Sequence, residues 1–294
     1  MMTHPALRRM RGFTLVELVI VIVITGIIGS MVAVFIRVPV QGYVDATARA
    51  NLADAADIAT RRVARDLRLA LPNSVRVSPD GRYLELLLTK SGGRYLSEDD
   101  PSGLGSALVF NAVDPASNAN QFTIVGAPPA IAPGDFIVVY NMGDNWPDAY
   151  SCAAASASQS CNLASVTAIN GSLVTMASNP FLAQTPKKFA SPSHRFQVVS
   201  TPVSYVCDAV RGTLTRYSGY AIQATQPVNA SAAPLVGAPV RALLAGQGAD
   251  CTFSYSQLGN VQRGLVGITL KLGTASSNTG TVSLVQQVQV SNTP

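Results

Sequence analysis

The most prominent feature of the hydrophobic pattern is an almost uninterrupted apolar run from Phe13 to Ile36. As an α-helix, this run would be about 36 Å long, enough to cross a bilayer hydrocarbon core of about 30 Å. Arg8, Arg9 and Arg11 precede the run, and a basic flank of this kind favours the cytoplasmic side of a membrane. The pattern predicts a single transmembrane helix with the rest of the chain exported.

The pattern becomes amphipathic from about Tyr43 to Leu71. Its apolar residues recur at spacings of three and four: Leu52, Ala56, Ala59, Val63, Leu67 and Ala70. This periodicity predicts a helix with one buried side, and the arginine-rich opposite side is interpreted as solvated, with subunit contact as the alternative. Pro39 is predicted to kink or loosen the helix, and Leu71-Pro72-Asn73 to end it.

Beyond Asn73 the pattern favours strands separated by clusters of Gly, Pro, Asn and Ser. The predicted strands are 83–88, 107–110, 136–140, 195–201, 203–206, 213–217, 251–255, 265–272 and 282–290. The segment 223–247 is predicted to be a long surface excursion, and 273–280 the turn of a C-terminal hairpin. The expected fold class is α+β, with one long N-terminal helix packed on an antiparallel β-rich domain.

Composition and charge narrow the function classes. The net charge of +5 is modest, and part of it comes from the three N-terminal arginines, so the sequence does not indicate a nucleic-acid partner. Only two histidines occur, His4 and His194, which disfavours histidine-based catalysis and a histidine-rich metal site. No phosphate-binding loop is recognisable. These features disfavour histidine-based catalysis and phosphate chemistry, and no cofactor is predicted.

All four cysteines follow the apolar run, in the part predicted to be exported, where the environment favours disulfides. Four cysteines allow three pairings. Cys152–Cys161 is favoured because it would close a loop rich in Ser and Ala, and Cys207–Cys251 because it would join two predicted strands. Free thiols are the alternative, and a zinc site lacks support because no Cys-x-x-Cys motif occurs.

Other candidate sites are weaker. Glu98, Asp99 and Asp100 could contribute to a calcium loop, as could Asp144, Asn145 and Asp148, but neither group has a defined calcium spacing. Solvated turns are the favoured interpretation, and no metal site is predicted. Trp146, the only tryptophan, is expected to pack on the domain rather than to anchor a partner.

Glu17 is the most informative single residue because it lies inside the apolar run. An acidic residue at mid-membrane costs roughly 2.5–3.5 kcal/mol on insertion scales, and less near the end of a span. Either the carboxylate snorkels into lipid headgroups, or it pairs with a cation supplied by another subunit.

The segment Arg11-Gly12-Phe13-Thr14-Leu15-Val16-Glu17, after a basic leader and before an apolar helix, resembles the signal of type IV prepilins. A cleaved secretory signal is disfavoured because no small-x-small site follows the run. The resemblance implies that a prepilin peptidase cleaves between Gly12 and Phe13 and methylates the new amine of Phe13. It also implies that Glu17 of an incoming subunit pairs with the Phe13 amine of a neighbour.

The segment 42–77 and the C-terminal VSLVQQVQVSNTP resemble MshO-type minor pilins of mannose-sensitive haemagglutinin (MSHA) pilus systems. This resemblance implies a leader at 1–12, a transmembrane and polymerisation helix at 13–38, an amphipathic helix at 39–72 and an exported β-rich domain at 73–294. The chain would sit in the inner membrane with its C-terminal domain in the periplasm, and then enter the pilus.

The implied function is that of a minor pilin that initiates or assists pilus assembly. Its partners would be other major and minor pilins, contacted through the N-terminal helix, together with the prepilin peptidase and the inner membrane. Two alternatives remain: a J-type minor pseudopilin of type II secretion, and a membrane-tethered adhesin or binding module.

Overall fold

The computed structural model describes residues 12–100, 102–111, 119–143, 147–153, 161–184, 188–246, 248–257, 263–273 and 280–294. One helix, α1, covers Leu15–Arg68 and continues through Pro39. The chain divides into two compact units, Met1–Asn51 and Leu52–Pro294. The first unit therefore contains most of α1, and the second contains its last turns and all the strands. The layout is α+β, as the sequence predicts.

The predicted apolar stripe forms the buried side of α1 in the second unit. Leu52, Ala56, Ala59, Val63 and Leu67 are all buried, and Ala70 is half-buried. The helix ends at Arg68 rather than at residue 72, because Ala70 leaves it to form an isolated antiparallel bridge with Leu88. Asn73 then adopts a positive φ of 59°, which asparagine tolerates better than most residues.

Among the described residues, twelve strands follow the helix, and every pairing between them is antiparallel. They are β1 (Arg76–Val77), β2 (Tyr83–Tyr95), β3 (Gln121–Val125), β4 (Phe136–Val138), β5 (Leu163–Asn170), β6 (Leu173–Met176), β7 (Arg195–Asp208), β8 (Thr213–Ser218), β9 (Val240–Ala245), β10 (Asp250–Gln257), β11 (Arg263–Leu272) and β12 (Val282–Ser291). Nine of these strands belong to one sheet, and β10-β11-β12 form a second one.

Part of the larger sheet closes on itself. Its strands run in the order β2-β3-β6-β5-β4-β7, and β7 pairs back with β2. These six strands form a small antiparallel barrel. The two longest strands, β2 and β7, belong both to the barrel and to the rest of the larger sheet. They pair along almost their whole length, from Tyr83 opposite Val206 to Arg94 opposite Arg195, and form a two-stranded ribbon. One end of this ribbon carries β1, β8 and β9, and the other end contributes to the barrel.

The two largest hydrophobic cores among the described residues match this division. The larger core packs the buried side of α1 against β2, β7, β8 and the three-stranded sheet, with Leu84, Tyr205 and Ile268 among its members. The second core fills the barrel and includes Phe122 and Phe196, whose rings meet edge to face at 5.4 Å. A smaller cluster around Leu71, Leu87 and Tyr150 lies next to both.

A buried carboxylate, Asp66, fixes α1 on the larger sheet. Its Oδ2 accepts hydrogen bonds from Tyr205 Oη at 2.7 Å and from Arg216 Nε at 2.8 Å. Arg62 lies 3.6 Å from the other oxygen. Burial, and secondly the charge of Asp66, raises the pKa of Tyr205, so its hydroxyl remains a donor. These bonds compensate the carboxylate for its lost hydration.

A second buried acid, Glu85, lies on β2. Arg76 donates to its Oε2 from Nε at 2.9 Å and from a terminal nitrogen at 2.6 Å, and Tyr220 Oη donates to Oε1 at 2.9 Å. Arg76 also stacks on the ring of Tyr150, 3.5 Å from its centroid. Burial raises the pKa of Glu85, although Arg76 and Tyr220 act in the opposite direction.

Several strand predictions differ from the structure. Residues 107–110 form no strand, although Leu108, Val109 and Phe110 are buried, because they pack as an irregular segment against the barrel core. The predicted excursion at 223–247 contains β9, which pairs with β8. Predicted strands 195–201 and 203–206 are one continuous strand, β7, through Pro202. The sequence predicts no strand at β1, β3, β5 or β6.

Candidate processing and assembly site

The site predicted for processing lies at the start of the first unit. Gly12, Phe13 and Thr14 precede α1 and are exposed, and Phe13 keeps 78% of its surface accessible. A glycine in an exposed, non-helical segment leaves the backbone open to approach. The arginines of the predicted leader lie outside the described residues.

Thr14 caps the start of the helix. Its Oγ1 accepts a hydrogen bond from the backbone N–H of Glu17 at 3.2 Å, and its carbonyl accepts from Leu18 N at 3.2 Å. Thr-x-x-Glu is the pattern of a capping box, in which an acidic residue also lies near the positive end of the helix dipole. This role of Thr14 is not among the sequence-based predictions, although its spacing from Glu17 indicates it.

The capping hydrogen bond involves the backbone N–H of Glu17 and provides no cation for its carboxylate. Within the part of the chain that the structure describes, no basic side chain lies within ion-pair distance of its carboxylate. Arg37, the next cation along α1, is about 30 Å away at 1.5 Å per residue. Glu17 therefore presents a carboxylate without a charge partner among these residues.

The apolar part of α1 is exposed on every side. It is long and apolar enough to span a membrane, and none of its most hydrophobic stretch is buried within the molecule. Its two hydroxyl residues are satisfied internally, because Thr25 Oγ1 donates to Val21 O at 2.6 Å and Ser30 Oγ to Ile27 O at 2.8 Å. Such internal bonds suit a helix surrounded by lipid or by other apolar helices.

The four cysteines form two disulfides, Cys152–Cys161 and Cys207–Cys251, which are the pairs that the sequence favours. The first closes a short loop beside the barrel. The second links β7 of the larger sheet to β10 of the smaller sheet. Arg82 reinforces this second link, since it pairs with Asp250 and donates to Cys251 O at 2.6 Å.

The weaker candidates do not converge on a binding site. Asp100 Oδ1 accepts from Ser102 N at 2.9 Å within a turn, and Glu98 accepts from Phe110 N at 3.3 Å, so both acids bind backbone N–H groups of the chain. Among the described residues, no group of three metal-binding side chains occurs. Asp144, Asn145 and Trp146 lie outside these residues. Asp148 caps the turn that carries Tyr150, and His194 lies 5.7 Å from the ring of Tyr95.

Comparison with known families agrees with the geometry of the N-terminus. Residues 7–33 match the model of the prokaryotic N-terminal methylation motif. No curated protein and no solved structure matches the chain. The motif and the exposed apolar helix together support a type IV prepilin-like protein, anchored in a membrane and processed by a prepilin peptidase.

Proposed function

We propose that this chain is a minor pilin that initiates or assists assembly of a type IV pilus of the MSHA class. The observation that carries the proposal is the match of the methylation motif to residues 7–33, which include the start of α1, whose most hydrophobic stretch is not buried within its own molecule. Such a helix needs apolar neighbours, which lipid supplies before assembly and other pilin helices supply afterwards.

In this proposal the peptidase cleaves between Gly12 and Phe13 and methylates the Phe13 amine, and residues 1–12 are removed. Residues 13–38 then serve as the membrane and polymerisation segment, and the exported domain starts near residue 73. The chain acts as a structural subunit rather than as an enzyme. The size of the exported domain supports a minor role, because so bulky a domain is difficult to repeat at every filament position.

Glu17 would set the axial position of the subunit. The carboxylate has no charge partner within its own described chain, and the amine of a neighbouring Phe13 would supply one. A half-buried charge is costly wherever it lacks a partner, so only one helix register would be favoured. The capping bond from Glu17 N to Thr14 Oγ1 holds the residue in the first turn, near the height of the amine.

Processing is tested by mass spectrometry of protein isolated from cells. We expect a methylated N-terminus at Phe13, and we expect Gly12→Val to retain residues 1–12, because a branched side chain would occupy the cleavage position. An unprocessed N-terminus in the wild-type protein, or cleavage after Ile36, would exclude a prepilin.

Assembly is tested with Glu17→Gln. The neutral amide inserts into a membrane more easily, so export and cleavage should persist while crosslinking to other pilins and the number of pili fall. Asp45→Asn is the matched control, since it makes the same carboxylate-to-amide change further along α1. Normal crosslinking and piliation of Glu17→Gln at equal protein level would show that the carboxylate only snorkels.

A type II secretion pseudopilin would carry the same motif. Deletion of the gene separates the two functions, because loss of pili with normal secretion is expected for a minor pilin. Loss of secretion with normal piliation would assign the chain to a secretion system instead.

A further inference from the structure

The last turns of α1 and the edge strand β12 form a groove in the second unit, with a volume of about 720 Å³. Arg61, Arg65 and Arg68 line the helix side, and Leu284, Val285 and Gln286 line the strand side. We infer that this groove binds an extended, acidic segment of a partner protein, which adds to β12 as a further antiparallel or parallel strand.

The backbone of β12 is open to such an addition. β12 is the end strand of the β10-β11-β12 sheet, and among the described strands it pairs with β11 alone. A strand edge of this kind presents unpaired N–H and C=O groups, which another chain can use. The ladder with β11 covers all ten residues of β12, so the strand offers a long and regular edge.

β12 also lacks the features that usually protect an edge strand. Its sequence VSLVQQVQVS contains no charged residue and no proline, and Val285 is 67% exposed. The other end strands differ: β1 has only two residues, β9 has six and carries an exposed arginine, Arg241, and β10, at the other end of the same sheet, has eight and begins with Asp250. β12 is thus the longest of these edges and the one without charge.

The helix side of the groove selects the charge of the occupant. Arg61 pairs with Asp57 at 2.7 Å, whereas Arg65 and Arg68 have no carboxylate partner among the described residues. The groove therefore carries an excess of positive charge. Arg62 takes no part, because it points to the other flank of α1, toward Asp66.

The spacing of Arg61 and Arg65 along α1 is close to that of alternate residues in a strand, whereas Arg65 and Arg68 are closer together. Arg61 and Arg65 are about 6 Å apart along the axis, and Arg65 and Arg68 about 4.5 Å. Alternate residues of a strand are about 6.6–6.8 Å apart and point to the same face. Acidic side chains at alternate positions of an added strand could therefore reach successive arginines.

The groove also contains an unsatisfied polar atom. Gln286 Oε1 is buried and accepts no hydrogen bond within the described part of the chain. A buried acceptor without a donor is costly. An N–H group of an occupant would satisfy it only after the Gln286 side chain turned outward, so the inference rests on the open edge and on the charge.

The test uses the full chain in detergent and three labelled seven-residue peptides as probes. In the first peptide glutamate alternates with valine, in the second lysine replaces glutamate, and in the third the central valine of the acidic peptide is proline. Fluorescence anisotropy gives the affinities. We expect the acidic peptide to bind at least tenfold more tightly than the other two, because lysine is repelled and proline interrupts the ladder.

Amide hydrogen exchange then locates the bound peptide. We expect slower exchange in residues 282–291 when the acidic peptide is present. Arg65→Gln should weaken binding roughly two- to fivefold, as for one exposed ion pair. Arg211→Gln removes the same charge from a distant exposed turn and should leave affinity unchanged. Equal binding of the three peptides, or unchanged exchange in β12, would overturn the inference.

A variant that failed to fold would also lose binding, so each is first checked for both disulfides by peptide mapping. Vesicles rich in anionic phosphatidylglycerol provide a further comparison. If such vesicles bind through the three arginines and the acidic peptide does not, the groove is a lipid-binding surface and the inference of a peptide partner is wrong.

Discussion

Asp66 and Asp57 allow a buried and an exposed carboxylate to be compared on one helix. Each lies four residues from an arginine, but Asp66 is buried against Arg216 and Tyr205, whereas the Asp57 side chain is 47% exposed. We expect Asp66→Asn to lower the free energy of unfolding by about 3–5 kcal/mol, because Arg216 is left buried with its charge uncompensated.

The matched change Asp57→Asn should cost at most about 1 kcal/mol, the usual value of an exposed pair. Denaturant unfolding of both variants measures the difference. Equal losses would mean that Arg216 finds another partner or water when Asp66 is neutralised.

Glu85 predicts a pH dependence of stability. Burial raises its pKa, so the folded protein holds this proton more tightly than the unfolded chain does. Between the ordinary glutamate pKa of about 4.3 and the higher folded value, the free energy of unfolding should therefore fall as pH rises. Glu85→Gln should flatten the profile in this window, measured by unfolding at several pH values. Glu98→Gln, at an exposed site, should leave the slope as in the wild type.

Asp80 and Asp208 act in the opposite sense, at lower pH. A hydrogen bond from Ser78 lowers the pKa of Asp80, and backbone bonds from Arg211 and Val210 lower that of Asp208. Both contribute stability that is lost as pH falls through their folded pKa values. The Glu85 window is therefore best examined above the range in which these aspartates titrate.

At the scale of elements, the two disulfides should differ in their contribution to stability. The sequence separation is 44 for Cys207–Cys251 and 9 for Cys152–Cys161. The chain-entropy model gives about 4 kcal/mol for the longer loop and about 2.6 kcal/mol for the shorter one. We expect the double variant Cys207→Ala, Cys251→Ala to be the less stable of the two alanine pairs, by thermal or denaturant unfolding.

The larger loss also has a structural reason. Cys207 and Cys251 connect the two sheets on which α1 packs, whereas Cys152–Cys161 closes a loop at the barrel. If the Cys152–Cys161 pair proved the more important, loop closure in the unfolded chain would not be the dominant effect.

At the scale of the whole molecule, the two cores should respond separately to damage. Phe122 lies in the barrel core and Ile268 in the core under α1, and both are fully buried. Replacing either with alanine should cost about 2–5 kcal/mol. We expect Phe122→Ala to accelerate amide exchange chiefly in β3 to β6, and Ile268→Ala chiefly in β10 to β12.

The physical reason is that the two cores share no residue and meet through the ribbon of β2 and β7 and through the small cluster around Leu87. Hydrogen exchange resolves such local opening from global unfolding. A uniform acceleration in both variants would show that the second unit unfolds as one cooperative body.

Local sequence patterns are sufficient to predict the helix and the strands in which buried and exposed residues alternate strongly. The apolar run from Phe13 is recognisable from residue type, and the stripe from Leu52 to Leu67 from the spacing of its apolar residues. Both lie in α1. β11 and β12 alternate along their whole length, and the sequence predicts both closely. Short strands such as β1, with two residues, and β6, with four, have patterns too brief to distinguish from loops.

The sequence by itself determined the apolar helix, its motif with Gly12, Phe13 and Glu17, and the oxidisable cysteines, because each of these depends on neighbouring residues or on residue type. Only the tertiary structure decided the barrel, the partners of Asp66 and the groove beside β12. Closing the barrel pairs Tyr83–Tyr95 with Arg195–Asp208, and Asp66 meets Arg216 across 150 residues. Such contacts depend on how the whole chain packs, and no local spacing records them.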